Sequence, residues 1–306
     1  MVKLPRLISG LMAVMLVSAC AAVPAPPPTS SPAPTPIAPL TFQGDRAFGH
    51  AASQMALGPR PTGSSALRAL GDSILAELVK QGWQTRTQEF TYRGTPVRNL
   101  VGTKGQTGDV VLIGAHYDTR RRADQDPQFP DQPVPGANDG ASGVAVLLEL
   151  ARALDTQLAG KRVMLVFFDA EDNGQLDGWD WIAGSRQFAN ELDKYAPATP
   201  AAVVIVDMIG DAQQELYFDR NSDLRLSQEI WGVAAQLGYG AQFTPATKWS
   251  MLDDHTPFVE RGIRSVDIID FDYPHWHRIS DTLDKLSPAS LERVGRTLEV
   301  WLEGRK

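Results

Sequence analysis

The chain reads as an α/β domain with a mainly parallel central sheet and helices on both sides. Two observations predict this. Four short apolar runs, 110–115, 163–168, 202–206 and 265–269, carry almost no polar alternation, as strands buried on both faces do. Between and after them lie segments of helical period, 142–154, 179–192, 224–237 and 289–302, so strand and helix alternate. Ahead of the first run, 45–57 and 65–81 read as helices. The second of these has Leu67, Leu70, Ile74, Leu75, Leu78 and Val79 at helical spacing. Segments 84–92 and 97–102 alternate like half-exposed strands.

The N-terminus is built differently. Lys3 and Arg6 precede an apolar run from Leu7 to Val17, interrupted by Ser9 and Gly10. That run is too short to span a bilayer and suits a signal peptide. It ends in Val17-Ser18-Ala19-Cys20, which resembles the bacterial lipobox, and Cys20 is the one cysteine of the chain. The expectation is a signal peptide (1–19), then a lipidated Cys20 on a tether (20–39). Residues 24–39, PAPPPTSSPAPTPIAP, favour an extended, semi-rigid linker. The folded domain then runs over 40–306. Such a protein is exported and held on the outer face of a bacterial membrane by lipid rather than by a transmembrane helix. With a lone cysteine the mature fold has no internal disulfide.

Composition narrows the function classes. Hydrophobic residues at 43% and charged residues at 21% are ordinary for a globular domain. The net charge of −7 becomes −9 once Lys3 and Arg6 are removed, which points away from nucleic acid as a partner.

The chemistry lies where the strands end. His116 and Asp118 follow the first apolar run, Glu171 and Asp172 the second, Asp207 the third, and His275 and His277 the fourth after a short loop. Asp139 sits in Gly136-Ala137-Asn138-Asp139-Gly140, directly before the helical segment 142–154. The carboxyl ends of parallel strands share one edge, where ligands bind. Gathering so many carboxylates in one crevice is costly unless a cation joins them. The mixture of imidazole and carboxylate favours zinc over calcium or magnesium. Taken singly, an Asp after a strand is a turn or cap residue and a His a hydrogen-bonder; their coincidence at one edge argues for a site. His50 reads as structural. His255, in Asp253-Asp254-His255, reads as an orienting neighbour.

These residues fall in motifs that resemble the M28 metallopeptidases, and among them the zinc-dependent glutaminyl cyclases. The motifs are GAHYDT at 114–119, GANDGASG at 136–143, FFDAED at 167–172, VDMIGD at 206–211, DDHTPF at 253–258 and WH at 276–277. The likeness runs from Gly58-Pro59-Arg60-Pro61 to Leu302. It implies a zinc-exopeptidase-like fold with one or two zinc ions. His116, Asp139, Asp172, Asp207 and His277 would be the metal ligands, with Asp139 bridging where both ions are present. It also implies Glu171 as general acid/base, Asp118 as the partner that orients His116, and Asp254 in the proton path. Many family members have two glutamates where this chain has Glu171-Asp172; aspartate is one methylene shorter, so the backbone must make up the distance.

The resemblance implies a peptide substrate and leaves two activities open. In the first, an N-terminal glutamine cyclises by attack of its own amine on its side-chain amide, releasing ammonia, with Glu171 moving the proton. Trp276, beside His277, would then wall a small dry pocket; the alternative is that it packs under the loop. Trp181 and Trp249 are further candidates for the wall. In the second, an aminopeptidase, water attacks the first peptide bond with Glu171 as base. A non-catalytic binding lipoprotein is a third reading, against which the complete ligand set stands.

Overall fold

The four apolar runs become neighbouring parallel strands, and the physical reason is visible in their side chains. Every residue of the strands at 110–116, 202–207 and 265–269 is buried. Successive residues then divide between two cores. Val111, Ile113, Ala115, Val163, Leu165 and Phe167 face one hydrophobic cluster. Val110, Leu112, Met164, Val166 and Phe168 face the other. Period-two alternation in a doubly covered sheet thus needs apolar residues at every position. Each of the larger side chains among them contributes about 1.5–3 kcal/mol of burial.

A computed structural model describes residues 1–2 and 40–305. The expected signal peptide beyond Val2, Cys20 and the Pro-rich tether lie outside the described residues. In chain order the elements are α1 (Gly44–Met55), α2 (Ser65–Lys80), β1 (Gln84–Tyr92), β2 (Thr95–Lys104), β3 (Val110–His116), α3 (Ala141–Ala153) and α4 (Thr156–Ala159). Then come β4 (Arg162–Phe168), α5 (Ala183–Asn190), α6 (Leu192–Tyr195), β5 (Ala202–Asp207), β6 (Leu216–Phe218) and α7 (Leu224–Gln236). β7 (Phe243–Thr247), α8 (Thr256–Val259), β8 (Ser265–Ile269) and α9 (Pro288–Glu303) complete the domain. The main sheet has the order β1-β2-β4-β3-β5-β8. β4, β3, β5 and β8 are parallel; β1 and β2 form an antiparallel hairpin on one edge. Its two-residue turn, Arg93-Gly94, has both residues at positive φ, the geometry that matches strand twist. None of the described helices is long and apolar enough to cross a membrane.

Two local expectations change. The helix expected over 179–192 begins at Ala183, because the residues before it hold the neighbouring loop. Ile182 N–H donates to the Glu171 carbonyl at 3.0 Å and Ala183 N–H to the Ala170 carbonyl at 3.0 Å. The small parallel sheet β6-β7 carries no sequence pattern that announces it; β6 is three residues long.

α3 packs on one face of the sheet, and its entry beside the strand ends explains the glycines of the 136–143 motif. Gly140, at φ +103°, caps the helix where a Cβ would stand 2.6 Å from the Asp118 carbonyl. At Gly143 a Cβ would meet the Val206 carbonyl at 2.5 Å. Only glycine lets α3 approach β3 and β5 this closely, and that approach carries Asp139 to the strand ends.

Candidate active site

β3, β4, β5 and β8 point their carboxyl ends the same way, and the expected ligands meet there. His116 is the last residue of β3 and Asp207 the last of β5. Asp172 follows β4 by a four-residue turn, and His277 arrives on the loop after β8. The side chains form two triads, His116/Asp139/Asp207 and Asp139/Asp172/His277, all buried, with the donor atoms of each within 4.8 Å of one another. Asp139 belongs to both: Oδ1 is 3.2 Å from His116 Nε2, and Oδ2 is 3.7 Å from His277 Nε2. His116 Nε2 is 3.0 Å from Asp207 Oδ1, and His277 Nε2 is 3.0 Å from Asp172 Oδ1.

The donor set fits zinc. Both Asp172 oxygens and Asp139 Oδ2 are buried without a hydrogen-bond partner. Buried polar atoms are almost always satisfied, and a divalent cation satisfies these. Imidazole nitrogen and carboxylate oxygen at tetrahedral-site numbers are zinc donors. The electrostatics agree. Burial, reinforced by the Asp139 charge, pushes Asp172 up to about 6, against the pull of His277. Burial lifts Asp207 to about 7 despite His116 beside it. Burial works against the His277 cation, yet Asp172, Asp124 and Asp139 raise it to about 9. Protons hold this cluster together where no cation does, and metal binding must displace them.

The surrounding residues fix these groups in place. Asp118, fully buried, accepts from the N–H groups of Glu171 (3.1 Å) and Asp172 (3.3 Å) and from the Thr62 hydroxyl (3.1 Å). Its Oδ1 is also 3.7 Å from His116 Nδ1. It therefore shapes the loop that presents Glu171, in which Ala170 is strained to φ +60°.

Four supporting residues were not legible in the sequence. Asp281 accepts from the N–H groups of Asn138 (2.8 Å) and Asp139 (3.1 Å) and from the Tyr273 hydroxyl (2.7 Å). Asp124 Oδ1 stands 3.4 Å from His277 Nδ1 and is gripped by Arg120 at 2.6 Å. Arg120 also donates to the Asp172 carbonyl at 3.0 Å. Arg60, wholly buried, donates to the carbonyls of Gly58, Pro135 and Gly136 and holds the 136–140 turn. They sit in loops, where no local pattern singles them out.

A cavity of about 190 Å³ opens onto the triads. Glu171 lines it, its carboxyl raised well above the usual range by burial, with His116 pulling the other way and Asp172, Asp253 and Asp254 adding to the rise. The rest of the wall is largely apolar: Trp181, Met208, Met251, Phe271, Ile269 and Trp276. Trp276 both walls the cavity and packs, stacking on His277 with ring centroids 3.7 Å apart and meeting Phe271 edge-on at 5.1 Å. Trp181 lies nearly parallel to the His277 ring, 5.8 Å away, under the Arg120 guanidinium. Trp249 touches Phe271 from outside the wall.

Asp254 does not line the cavity; Asp253 does. The tight turn into α8 separates these neighbours: Thr256 N–H donates to the Asp253 carbonyl at 2.8 Å, and Asp254 N–H to the Asp253 carboxylate. Asp253 therefore lines the wall, while Asp254 is fully buried behind it, with neither carboxylate oxygen hydrogen-bonded and its charge still felt by Glu171. His275 bonds Ser280 at 2.8 Å and stands outside both triads. His255 is buried 3.2 Å from Asp219 and 4.0 Å from Asp267, linking segments behind the site. His50, half-buried on α1, belongs to neither triad.

Comparison with known proteins is consistent with this geometry. Residues 99–302 match the model of peptidase family M28. A glutaminyl cyclase from Porphyromonas gingivalis superposes with a TM-score of 0.81 at 31% identity, covering 87% of this chain and 99% of that one. A leucine aminopeptidase precursor from Bacteroides thetaiotaomicron gives 0.82 at 27% identity, over 88% and 100%. Among curated sequences, the glutaminyl-peptide cyclotransferase of the snake Boiga irregularis is 25% identical, covering 73% of this chain and 71% of its own length.

Proposed function

The chain belongs to peptidase family M28, and from that premise we propose that it is a zinc-dependent glutaminyl-peptide cyclotransferase. One observation carries the choice within the family. The cavity over the His277 triad is small, with an apolar wall facing its acids and Trp276 stacked on the ligand ring, so it suits one side chain held against that wall. His277, Asp172 and Asp139 would hold the metal, with His116 and Asp207 able to hold a second. Zinc there supplies Lewis-acid polarisation of an amide carbonyl.

The remaining work falls to the protein. The apolar wall folds the glutamine side chain back toward its own amine. Glu171 accepts a proton from that amine as its nitrogen bonds to the side-chain carbonyl carbon. It returns the proton to the departing nitrogen as that carbon–nitrogen bond breaks and ammonia leaves. Asp253, on the same wall, hydrogen-bonds along this path. Asp118 holds the Glu171 backbone at the required position.

The aminopeptidase reading is favoured by a separate observation, the completeness of the His116 triad. The experiment that decides is incubation with Gln-Ala-Phe-amide and Leu-Ala-Phe-amide, with products followed by mass spectrometry. Loss of ammonia from the glutamine peptide alone is expected. Release of free leucine would replace this reading with the aminopeptidase. The Val17–Cys20 pattern further supports export and lipid anchoring, which the mass of the mature N-terminal peptide tests: an unmodified Cys20 would refute it.

A further inference from the structure

A second groove, of about 550 Å³, shares two walls with the catalytic cavity, Trp181 and Leu252. Leu252 is 52% exposed although it is a large apolar residue. Beyond this lip the groove runs between the end of edge strand β1 and the 175–190 segment, past Phe90, Thr91, Tyr92 and Trp179. Phe90 and Tyr92 are only half-buried, and both pack on the cluster around Trp179. Aromatic side chains left open beside a catalytic cavity mark a binding surface more than ordinary surface scatter.

The groove is preorganised. Tyr92 meets Trp179 edge-on at 5.2 Å, and its hydroxyl bonds the Asp180 carboxylate. Trp181 is pinned between the Arg120 guanidinium and Gly174, where a Cβ would come within 2.0 Å of the ring. Its charges are engaged: Arg186 pairs with Glu260 at 2.7 Å, and Asp180 lies 3.8 Å from Arg93 as well as against Tyr92. The groove therefore combines an aromatic floor with solvent-exposed rim charges that already have partners.

We infer that this groove receives the residues that follow the substrate's N-terminal residue, and that it selects an aromatic or large apolar side chain at the second or third position. The inference rests on the reading that the cavity takes a peptide N-terminus. The continuous wall through Trp181 and Leu252 leads the chain out of the cavity and onto the aromatic surface.

The test uses the full-length protein with zinc. kcat/KM is measured for Gln-Ala-amide, Gln-Ala-Ala-Ala-amide, Gln-Phe-Ala-Ala-amide and Gln-Ala-Phe-Ala-amide, and for the same series begun with leucine. A phenylalanine at the second or third position is expected to raise kcat/KM about tenfold over alanine, mostly through KM. Phe90→Ala should remove that preference by deleting groove surface. Gln187→Trp, on the α5 wall of the groove, should remove it by filling the groove. Both variants should turn over Gln-Ala-amide as the unaltered protein does. A flat tetrapeptide series, or a preference that survives both changes, would overturn the groove while dipeptide turnover keeps the cavity's function intact. Failure of both dipeptide amides would instead overturn the reading of the cavity, and the groove with it.

Discussion

The two triads share Asp139 and differ in what their other polar atoms find within the protein. In the His116 triad, Nε2 makes a hydrogen bond with Asp207 Oδ1 at 3.0 Å, so the protein partly closes this half by itself. In the His277 triad, Asp172 has neither oxygen hydrogen-bonded, although His277 Nε2 is 3.0 Å away. Both Asp172 oxygens are thus left open to a cation beside the His277 ring. The same residue types therefore give one half closed by a hydrogen bond and one half, with the Asp172 oxygens unpaired, that calls more strongly for a metal. Zinc should fill the His277 triad first, and the His116 triad should be the weaker of the two.

Chemistry gives the largest expected effect. Glu171→Gln should lower kcat by about 10²–10⁴ with zinc content unchanged, since Glu171 belongs to neither triad; zinc lost with activity would make it a ligand. The comparison itself is broken or kept by zinc stoichiometry. His277→Gln should leave the purified protein without zinc. His116→Gln, which keeps a hydrogen-bonding group toward Asp207, should retain one zinc per chain by elemental analysis. The reverse pattern would exchange the roles of the triads. A smaller change is expected at Asp124, which faces His277 Nδ1: Asp124→Asn should weaken zinc binding about 10–100-fold in a chelator competition. Unchanged affinity would leave Asp124 as a loop residue.

The mildest test is pH. In zinc-free protein Asp172 sits near 6, above its ordinary 3.8, and His277 near 9, above 6.5. Both raised values mean that the folded state holds protons more tightly than the unfolded chain. The stability tied to His277 is complete below pH 6.5 and is lost as pH rises through 9, while ionising Asp172 becomes costly between 3.8 and 6. Zinc-free protein should thus unfold at lower denaturant at pH 8 than at pH 5.5, and zinc should narrow the gap. A zinc-free protein that strengthens over that range would contradict the protonated cluster.

A buried His–Asp group elsewhere in the molecule shows why residue type alone is a weak guide. His255 lies between Asp219 and Asp267, all fully or nearly buried, and forms no metal group. Asp219 is already occupied by the N–H groups of Met251 and Asn221 and by the Ser222 hydroxyl. His116, Asp139, Asp172 and Asp207 were legible because they stand at or just past a strand end or at a helix entry, positions that apolar runs and glycines announce, and His277 through the WH motif on the loop after β8. Asp124, Arg120, Asp281 and Arg60 sit in loops without periodicity. The choice between Asp253 and Asp254 turns on one residue of a tight turn, where the direction of a side chain depends on the backbone path.

By itself, the amino-acid sequence determined the parallel sheet, because doubly buried strands must be apolar throughout. It also determined the family, through ordered motifs, and the five residues that converge at the strand ends, because parallel topology brings those ends together. Tertiary structure alone decided the start of α5 at Ala183, the small β6-β7 sheet and the place of Asp253 on the wall. It also decided the pairing of His277 with Asp124 and the aromatic groove beyond Leu252. Those features depend on contacts between residues far apart in the chain, whose distances no local pattern encodes.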